Sequence, residues 1–397
     1  MTAADACPGI LDLHQARDGL VARIRLPGGY ASAARLRALA ALAERFGDGS
    51  ADLTARGNVQ LRGIRAQNAD GLAERACAAR LMPSPAHDRA RNITASPLAG
   101  LAGHHDLRGQ VRALDRAIMA DAGLAALPGR FLFALDDGTG RAGLERSDVG
   151  LRLEPDGAEL IVAGRRTGRR GPAGQMIVLA VIAARAFLNQ RQSAEGSTRV
   201  RRLPDGGAAV AAAAGGVLGQ PVQDAQTRLA LGGLIAGPAG AGPVPVPGPG
   251  PEPEPEPAIV VAAPLGRLTA RQLRLLAKLA RPGDVARLTT AGRIVLPLPE
   301  DATGTSGDAT GTSGDALEKL AAAGLLTRDE QPLAAVTACA GMTCARSLAD
   351  VRALAAPVPA AGPVHWAGCG RRCGLPADAT AVVATSAGQF AIGDGAA

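Results

Sequence analysis

The sequence predicts an α+β fold, and three observations carry that prediction. A helix-turn-strand unit occurs twice in degenerate form, the first of its strands alternates polar and apolar residues, and four cysteines gather near the C-terminal end. The duplication implies pseudo-twofold symmetry, with two related halves able to enclose a large ligand between them. The cysteines imply further α/β segments that serve metal or redox chemistry.

The repeated unit begins with a helix. RLRALAALA (35–43) matches QLRLLAKLA (272–280), and each follows a candidate N-cap, Ser32 in one copy and Thr269 in the other. Leu36, Leu39 and Leu42 form one leucine stripe at helical spacing, and Leu273, Leu276 and Leu279 form its counterpart. Each helix leads through a Gly-Asp turn towards a strand, ADLTARGNVQLRGI in the first copy and ARLTTAGRIVLPL in the second. Side chains alternate faces along a strand. Read as one continuous strand, the first puts Thr54, Arg56, Asn58, Gln60 and Arg62 in a single polar row, with glycines on the back where another element can approach. Such a row either faces water or binds a ligand. In the second copy it decays to Thr289, Ala291, Arg293 and Val295, so the two halves are not chemically equivalent.

The chain of 397 residues is long enough for two or three domains of ~150 residues each. Apolar residues make up 47% but only seven are aromatic, so Ala, Leu and Val must fill the core. The net charge of +7 is carried almost wholly by arginine, since Lys278 and Lys319 are the only lysines. That balance suits an anionic ligand. Nucleic acid is not expected, because stacking aromatics are nearly absent. The longest uninterrupted apolar run, 176–184, is shorter than the ~20 residues of a spanning helix, so no membrane association is expected and the protein is read as cytoplasmic. In that compartment clustered cysteines are seldom disulfides.

Two low-complexity stretches punctuate the chain. Residues 206–257 end in GPVPVPGPGPEPEPEP and read as an extended linker, and DATGTSGDATGTSGDA (301–316) reads as a flexible insertion. The clustered cysteines are Cys339 and Cys344, spaced C-x4-C, and Cys369 and Cys373, spaced C-x3-C, with 24 residues between the pairs. An iron–sulfur cube takes four thiolates, one per iron. Structural zinc and ordinary buried thiols are the other readings, although zinc knuckles usually use C-x2-C. Cys7 and Cys77 stand apart, as a terminal thiol and a small helical core residue.

TARGNVQLRGI (54–64) and GCGRRCG (368–374) resemble signatures of the nitrite and sulfite reductase superfamily. Within it, the chain is most similar to the precorrin-3B synthase family through ACPG, RNITASPLAG (91–100), LPGRFLFALDDGTGR (127–141), SDVG and TACAGMTC. The resemblance implies duplicated ferredoxin-like half-domains with pseudo-twofold symmetry plus α/β iron–sulfur domains. The corresponding division is 1–75, 76–205, a linker at 206–257, 258–328 and 329–397. It implies a 4Fe–4S cluster on Cys339, Cys344, Cys369 and Cys373, and a mononuclear non-haem iron whose ligands are not assigned. It adds Arg91 and Arg130 to Arg56, Asn58, Gln60 and Arg62 as groups for an anionic tetrapyrrole, precorrin-3A. Dioxygen would be the oxidant and a separate reductase the electron donor. Two alternatives stand beside it: a sirohaem-dependent nitrite or sulfite reductase, with Cys373 bridging cluster and sirohaem, and a zinc-stabilised tetrapyrrole-binding protein without enzymatic activity. The first cysteine pair is one residue shorter than the family spacing. Leu132 stands where the reductases carry a second basic residue, which argues against oxyanion reduction.

Overall fold

The two leucine-striped helices, Ala33–Phe46 and Ala270–Leu279, pack on two antiparallel sheets and share one hydrophobic core. The computed structural model describes residues 7–101, 103–191, 197–224, 229–232, 258–299, 311–358, 362–376 and 378–393. Both helices start as their caps dictate. The Ser32 side chain accepts the Arg35 N–H, and Thr269 forms a capping box with Gln272. Leu36, Leu39, Leu42, Leu273 and Leu276 are buried in a cluster that runs from Ile10 to Leu325.

The first sheet has the order His14–Ala16, Gly19–Ile24, Val59–Ile64, Ser50–Leu53, Arg267–Thr269. The second has the order Ala258–Ala262, Arg293–Pro297, Val285–Leu288, Tyr30–Ser32. In each sheet one outer strand comes from the other half. Ser32 pairs with Val285, and Thr269 pairs with Ser50, so each cap residue is also the end of a strand bonded into the opposite sheet. This reciprocal exchange closes an edge on each sheet that would otherwise be exposed, and it fuses the halves.

The continuous polar strand expected over residues 53–63 is not formed. The chain makes a hairpin, with Ser50–Leu53 paired to Val59–Ile64 and a turn at 54–58. The Thr54 hydroxyl accepts the Asn58 N–H at 3.1 Å, and the Thr54 and Asn58 backbones also bond, at 2.9 Å. A threonine side chain that closes a turn on itself competes with strand extension, and sequence alternation does not register that competition. Gly57 occupies the turn at φ +65°, and a Cβ there would lie 2.8 Å from the Leu288 carbonyl oxygen. The glycine therefore lets the two halves meet backbone to backbone.

A third sheet, Arg165–Gly171, Gly157–Val162, Val149–Glu154, Phe133–Asp136, Ile93–Ala95, is antiparallel at one side and parallel over its last three strands. Helices Arg108–Ala120 and Ala173–Arg191 contribute to its core. The second of these is long and apolar enough to cross a membrane by length and composition. It exceeds the apolar run seen in the sequence because it continues through Gln175 on one side and Arg185 on the other, and Met176, Ala180, Ala183, Ala184 and Phe187 bury one face in this core. Residues read as the start of the linker belong here too. Helix Ala208–Ala213 buries Val210 and Ala211, and the Val222 N–H bonds to the Gly164 carbonyl. Most of the proline-rich part of the linker, at 233–257, lies outside the described residues. So does 301–310 of the insertion, whereas 311–316 open the helix Gly311–Ala322.

The fourth sheet, Val336–Ala338, Val364–Ala367, Thr380–Ser386, Gln389–Gly393, is parallel over its first three strands. Trp366 and Phe390 stack edge to face in its core, with ring centroids 5.1 Å apart.

Candidate functional site

Parallel strands place ligands beyond their carboxyl ends, and two such ends carry the candidate site. Cys339 directly follows Val336–Ala338, and Gly368-Cys369 directly follows the neighbouring Val364–Ala367. The Cys339 sulfur accepts N–H groups from Gly341 at 3.4 Å and Gly368 at 3.2 Å. Gly368 has no room for a side chain, because Ser347 packs where a Cβ would stand. His365 joins this site by both ring nitrogens, 2.9 Å from Thr337 Oγ1 and 3.1 Å from the Cys373 carbonyl oxygen. That carbonyl can only accept, so Nε2 carries the proton. Burial first of all holds the imidazole down at about 4, hence neutral, and it is a strand residue that supports the Cys373 loop.

The Cys373 thiol is pushed up, first by burial and then by Cys339, Cys369 and Cys344, so the four sulfurs lie within electrostatic reach of one another. Among the described residues no three His, Cys, Asp or Glu side chains converge on a single metal ion. These four thiols, with backbone N–H donors on Cys339, are the residues that could hold an iron–sulfur cluster, which takes one thiolate per iron.

The cysteine loop is held by the first half. Arg62 donates twice to Asp18, at 3.0 and 3.1 Å, and once to the Thr343 carbonyl, at 3.1 Å, between Cys339 and Cys344. Arg352 bonds both the Cys339 carbonyl and Asp52. The expectation that Arg62 meets a ligand carboxylate is corrected: Asp18 already occupies its fork. Arg91 is corrected in the same way, since it is 2% exposed and paired bidentately with Asp115 at 2.8 Å. Asn58 is buried, donating to Asn92 and accepting the Leu26 N–H. The Gln60 side chain accepts from Arg23. Arg130 is exposed and is not among the residues described around the cleft below.

Arg56 alone of the expected polar row lines a cleft. This cleft lies between the turns of both halves, at Gly57 and Leu288–Thr290, and the loops after the parallel strands of the third sheet, at Thr94–Pro97 and Gly140–Arg146. Its larger lobe contains about 890 Å³ of empty space, part of it open to solvent. Pro376 and Asp378, just beyond Cys373, form one wall, so the cleft and the thiols are neighbours. Burial first, then Arg199, pulls the Arg56 guanidinium down to about 9.

Arg141 and Arg146 also line the cleft, and sequence reasoning did not single them out. The Arg141 Nε is buried without a partner among the described residues. A signal existed in DDGTGR: the buried Asp136 carboxylate accepts backbone N–H groups from Gly138, Gly140, Arg141 and Ala142, which fixes the loop that presents Arg141. His104, His105 and Asp106 do not form an iron triad. His104 Nδ1 stands 3.8 Å from Asp137, and Asp106 pairs with Arg108.

Known proteins share these parts. Residues 14–79 match the nitrite/sulfite reductase ferredoxin-like half domain. A ferredoxin–nitrite reductase of Leptolyngbya laminosa is 37% identical over 121 residues, 28% of this chain and 24% of that protein. A precorrin-3B synthase of a Sinorhizobium species is 44% identical over 69 residues, 17% of this chain and 15% of that protein. The matched stretches thus span a quarter or less of these curated relatives. The Mycobacterium tuberculosis NirA protein superposes with a TM-score of 0.68 at 19% identity, over 94% of this chain and 73% of that one. The chain thus has a mixed α+β fold similar to that of the NirA protein, with residues 14–79 similar to a nitrite/sulfite reductase ferredoxin-like half domain.

Proposed function

We propose that the protein is an oxidoreductase of corrin-ring synthesis that converts precorrin-3A to precorrin-3B. In this reading dioxygen and reducing equivalents are consumed as the C20 meso carbon is hydroxylated and a ring A acetate closes a lactone. The observation that carries the choice is Leu132. It lines the cleft where the reductase motif would place a second cation, so the wall there is apolar and suits a macrocycle edge better than a small oxyanion. Arg56, Arg141 and Arg146 offer guanidinium forks to the carboxylates around the ring. Ala55 and Pro97 add apolar contact. A 4Fe–4S cluster on Cys339, Cys344, Cys369 and Cys373 would supply single electrons drawn from a separate reductase.

Sirohaem-dependent nitrite reduction is the second reading, favoured by the nitrite reductase matches. Anaerobic purification followed by iron and sulfide analysis and a visible spectrum separates the two. The oxygenase reading expects about four irons and a broad iron–sulfur band without haem bands. Sirohaem bands would establish the second reading, and stoichiometric zinc without iron would remove both. The variant Arg56→Ala is expected to weaken tetrapyrrole binding and leave the cluster spectrum intact; unchanged affinity would take Arg56 out of the site.

A further inference from the structure

Cys7 lies outside the thiol cluster, 7% exposed, in cationic surroundings. Arg23 and Arg25, two residues apart on an extended segment and so on one face, turn towards it. Arg23 Nη1 is 2.7 Å from the sulfur and Arg25 Nη2 is 3.6 Å away. Arg56 approaches from the hairpin turn. Its guanidinium, the Arg25 guanidinium and the Cys7 sulfur all contact the Gly129 carbonyl oxygen, at 3.4, 3.4 and 3.3 Å. That oxygen is already served by two guanidinium donors, so it does not require an S–H proton.

Arg25 supplies the independent observation. It is 2% exposed, and its Nε and Nη1 have no partner among the described residues. A guanidinium does not shed its charge in a protein, and a buried charge needs a counter-ion. Asp88 is the carboxylate that acts on Arg25, but it does so more weakly than Cys7 and spends its oxygen on the Ile10 and Leu11 N–H groups. Burial also pushes the Asp88 carboxyl up, towards its neutral form. The sulfur is thus the anion the three arginines share. Burial raises the Cys7 thiol, yet Arg23, Arg25 and Arg56 together hold it below the ordinary range.

We propose that Cys7 is a resident thiolate and a modification site for small electrophiles, hydroperoxides foremost. A sulfur lone pair attacks one peroxide oxygen, an S–O bond forms and the O–O bond breaks. The other oxygen leaves as hydroxide and becomes water with the proton that the attacked oxygen gives up. The sulfur is oxidised, the peroxide reduced, and the sulfenate product keeps a negative charge among the arginines. A thiolate in an electropositive pocket is the reactive form of cysteine, and the inference holds whatever fills the neighbouring cleft.

Holoprotein handled without oxygen is alkylated with iodoacetamide over a series of pH values, with glutathione as reference and peptide mapping as readout. The Cys7 rate should stay nearly level into the mildly acidic range, while the glutathione rate falls about tenfold per pH unit. Arg23→Gln should restore a falling profile. A Cys7 profile parallel to glutathione, a profile unmoved by Arg23→Gln, or no alkylation of Cys7 overturns the proposal. Brief hydrogen peroxide with dimedone present should then trap sulfenate at Cys7 before the exposed Cys77 in the same sample. Trapping first at Cys77, or at neither, also overturns it.

Discussion

The turns at 54–58 and 289–293 are built alike and equipped differently. In both, a threonine hydroxyl accepts the N–H four residues on, from Asn58 in one and Arg293 in the other. In both, the fourth residue is a glycine at positive φ, +65° at Gly57 and +72° at Gly292. Yet Arg56 of the first turn corresponds to Ala291 of the second, Gln60 to Val295 and Arg62 to Pro297. The half-domain frame has survived duplication through its backbone devices. Arg56 at the cleft and Arg62 at the cysteine loop have no cationic counterpart in the second copy, whose own cleft-lining cation is Arg293.

The largest expected break in this comparison is Arg62→Ala. Arg62 is 5% exposed, and its loss leaves Asp18 unpaired and takes from the Thr343 carbonyl one of its two donors, the Arg17 N–H remaining. Removing one partner of a buried ion pair costs about 3–5 kcal/mol, and the solvent access of Asp18 places this case near the lower end. Calorimetry should show a lowered unfolding temperature, and iron content should fall with it because the Cys344 loop is loosened. Unaltered iron would mean that the loop is held well enough by Arg17 and Arg352.

The two glycines sharpen the comparison. Left-handed backbone costs an L-residue about 1–2 kcal/mol, so Gly57→Ala and Gly292→Ala share that term. At Gly57 the added methyl also meets the Leu288 carbonyl at 2.8 Å, whereas at Gly292 the nearest atom is 3.9 Å away. Overpacking adds about 1–3 kcal/mol, so Gly57→Ala should destabilise the more, by about 3 kcal/mol in total. Equal effects in thermal unfolding would show that the halves do not pack tightly at this point.

These devices were legible in the sequence to different degrees. The duplication, both caps and the four neighbouring thiols could be read because each is local or repeats at a recognisable spacing. The hairpin was missed because LTARGNVQL alternates like a strand while Thr54 closes a turn within it. Arg62 and Arg91 were misjudged for another reason: their partners, Asp18 and Asp115, lie 44 and 24 residues away. A paired and an unpaired arginine look the same in a chain whose cations are nearly all arginine. The exchanged strands Tyr30–Ser32 and Arg267–Thr269 are three residues each, too short to carry a period.

Thr54→Val and Thr289→Val test whether the shared turn is equally weighted. Each removes a hydroxyl acceptor from a backbone N–H, a loss of about 1 kcal/mol. Thr54 also accepts the Arg56 N–H, at 3.4 Å, a contact without a counterpart at Thr289 among the described residues. The Thr54 variant should therefore lower tetrapyrrole affinity as well as stability, through a less fixed Arg56, and the Thr289 variant should lower stability alone. Equal losses of affinity in a binding titration would dissociate Arg56 from the cleft.

The smallest effect lies with the acidic groups of the cleft. Asp224 lines the cleft, and its Oδ2 accepts the Glu145 N–H at 3.1 Å while Oδ1 is buried without a partner among the described residues. Burial first, then the charges of Glu145 and Asp136, push its carboxyl up to about 7 from 3.8. The folded chain therefore holds a proton that the unfolded chain sheds, and this contribution to stability is lost as pH rises from 3.8 through about 7. The same titration adds a negative charge to the cleft. Affinity for a polycarboxylate porphyrin such as uroporphyrin should decline by a few-fold across the upper part of that window, and Asp224→Asn should flatten the decline. A decline of equal size in the variant would assign the pH dependence to the ligand's own carboxylates and leave the two arginine-bearing walls, at Arg56 and Arg141, as the groups that set affinity.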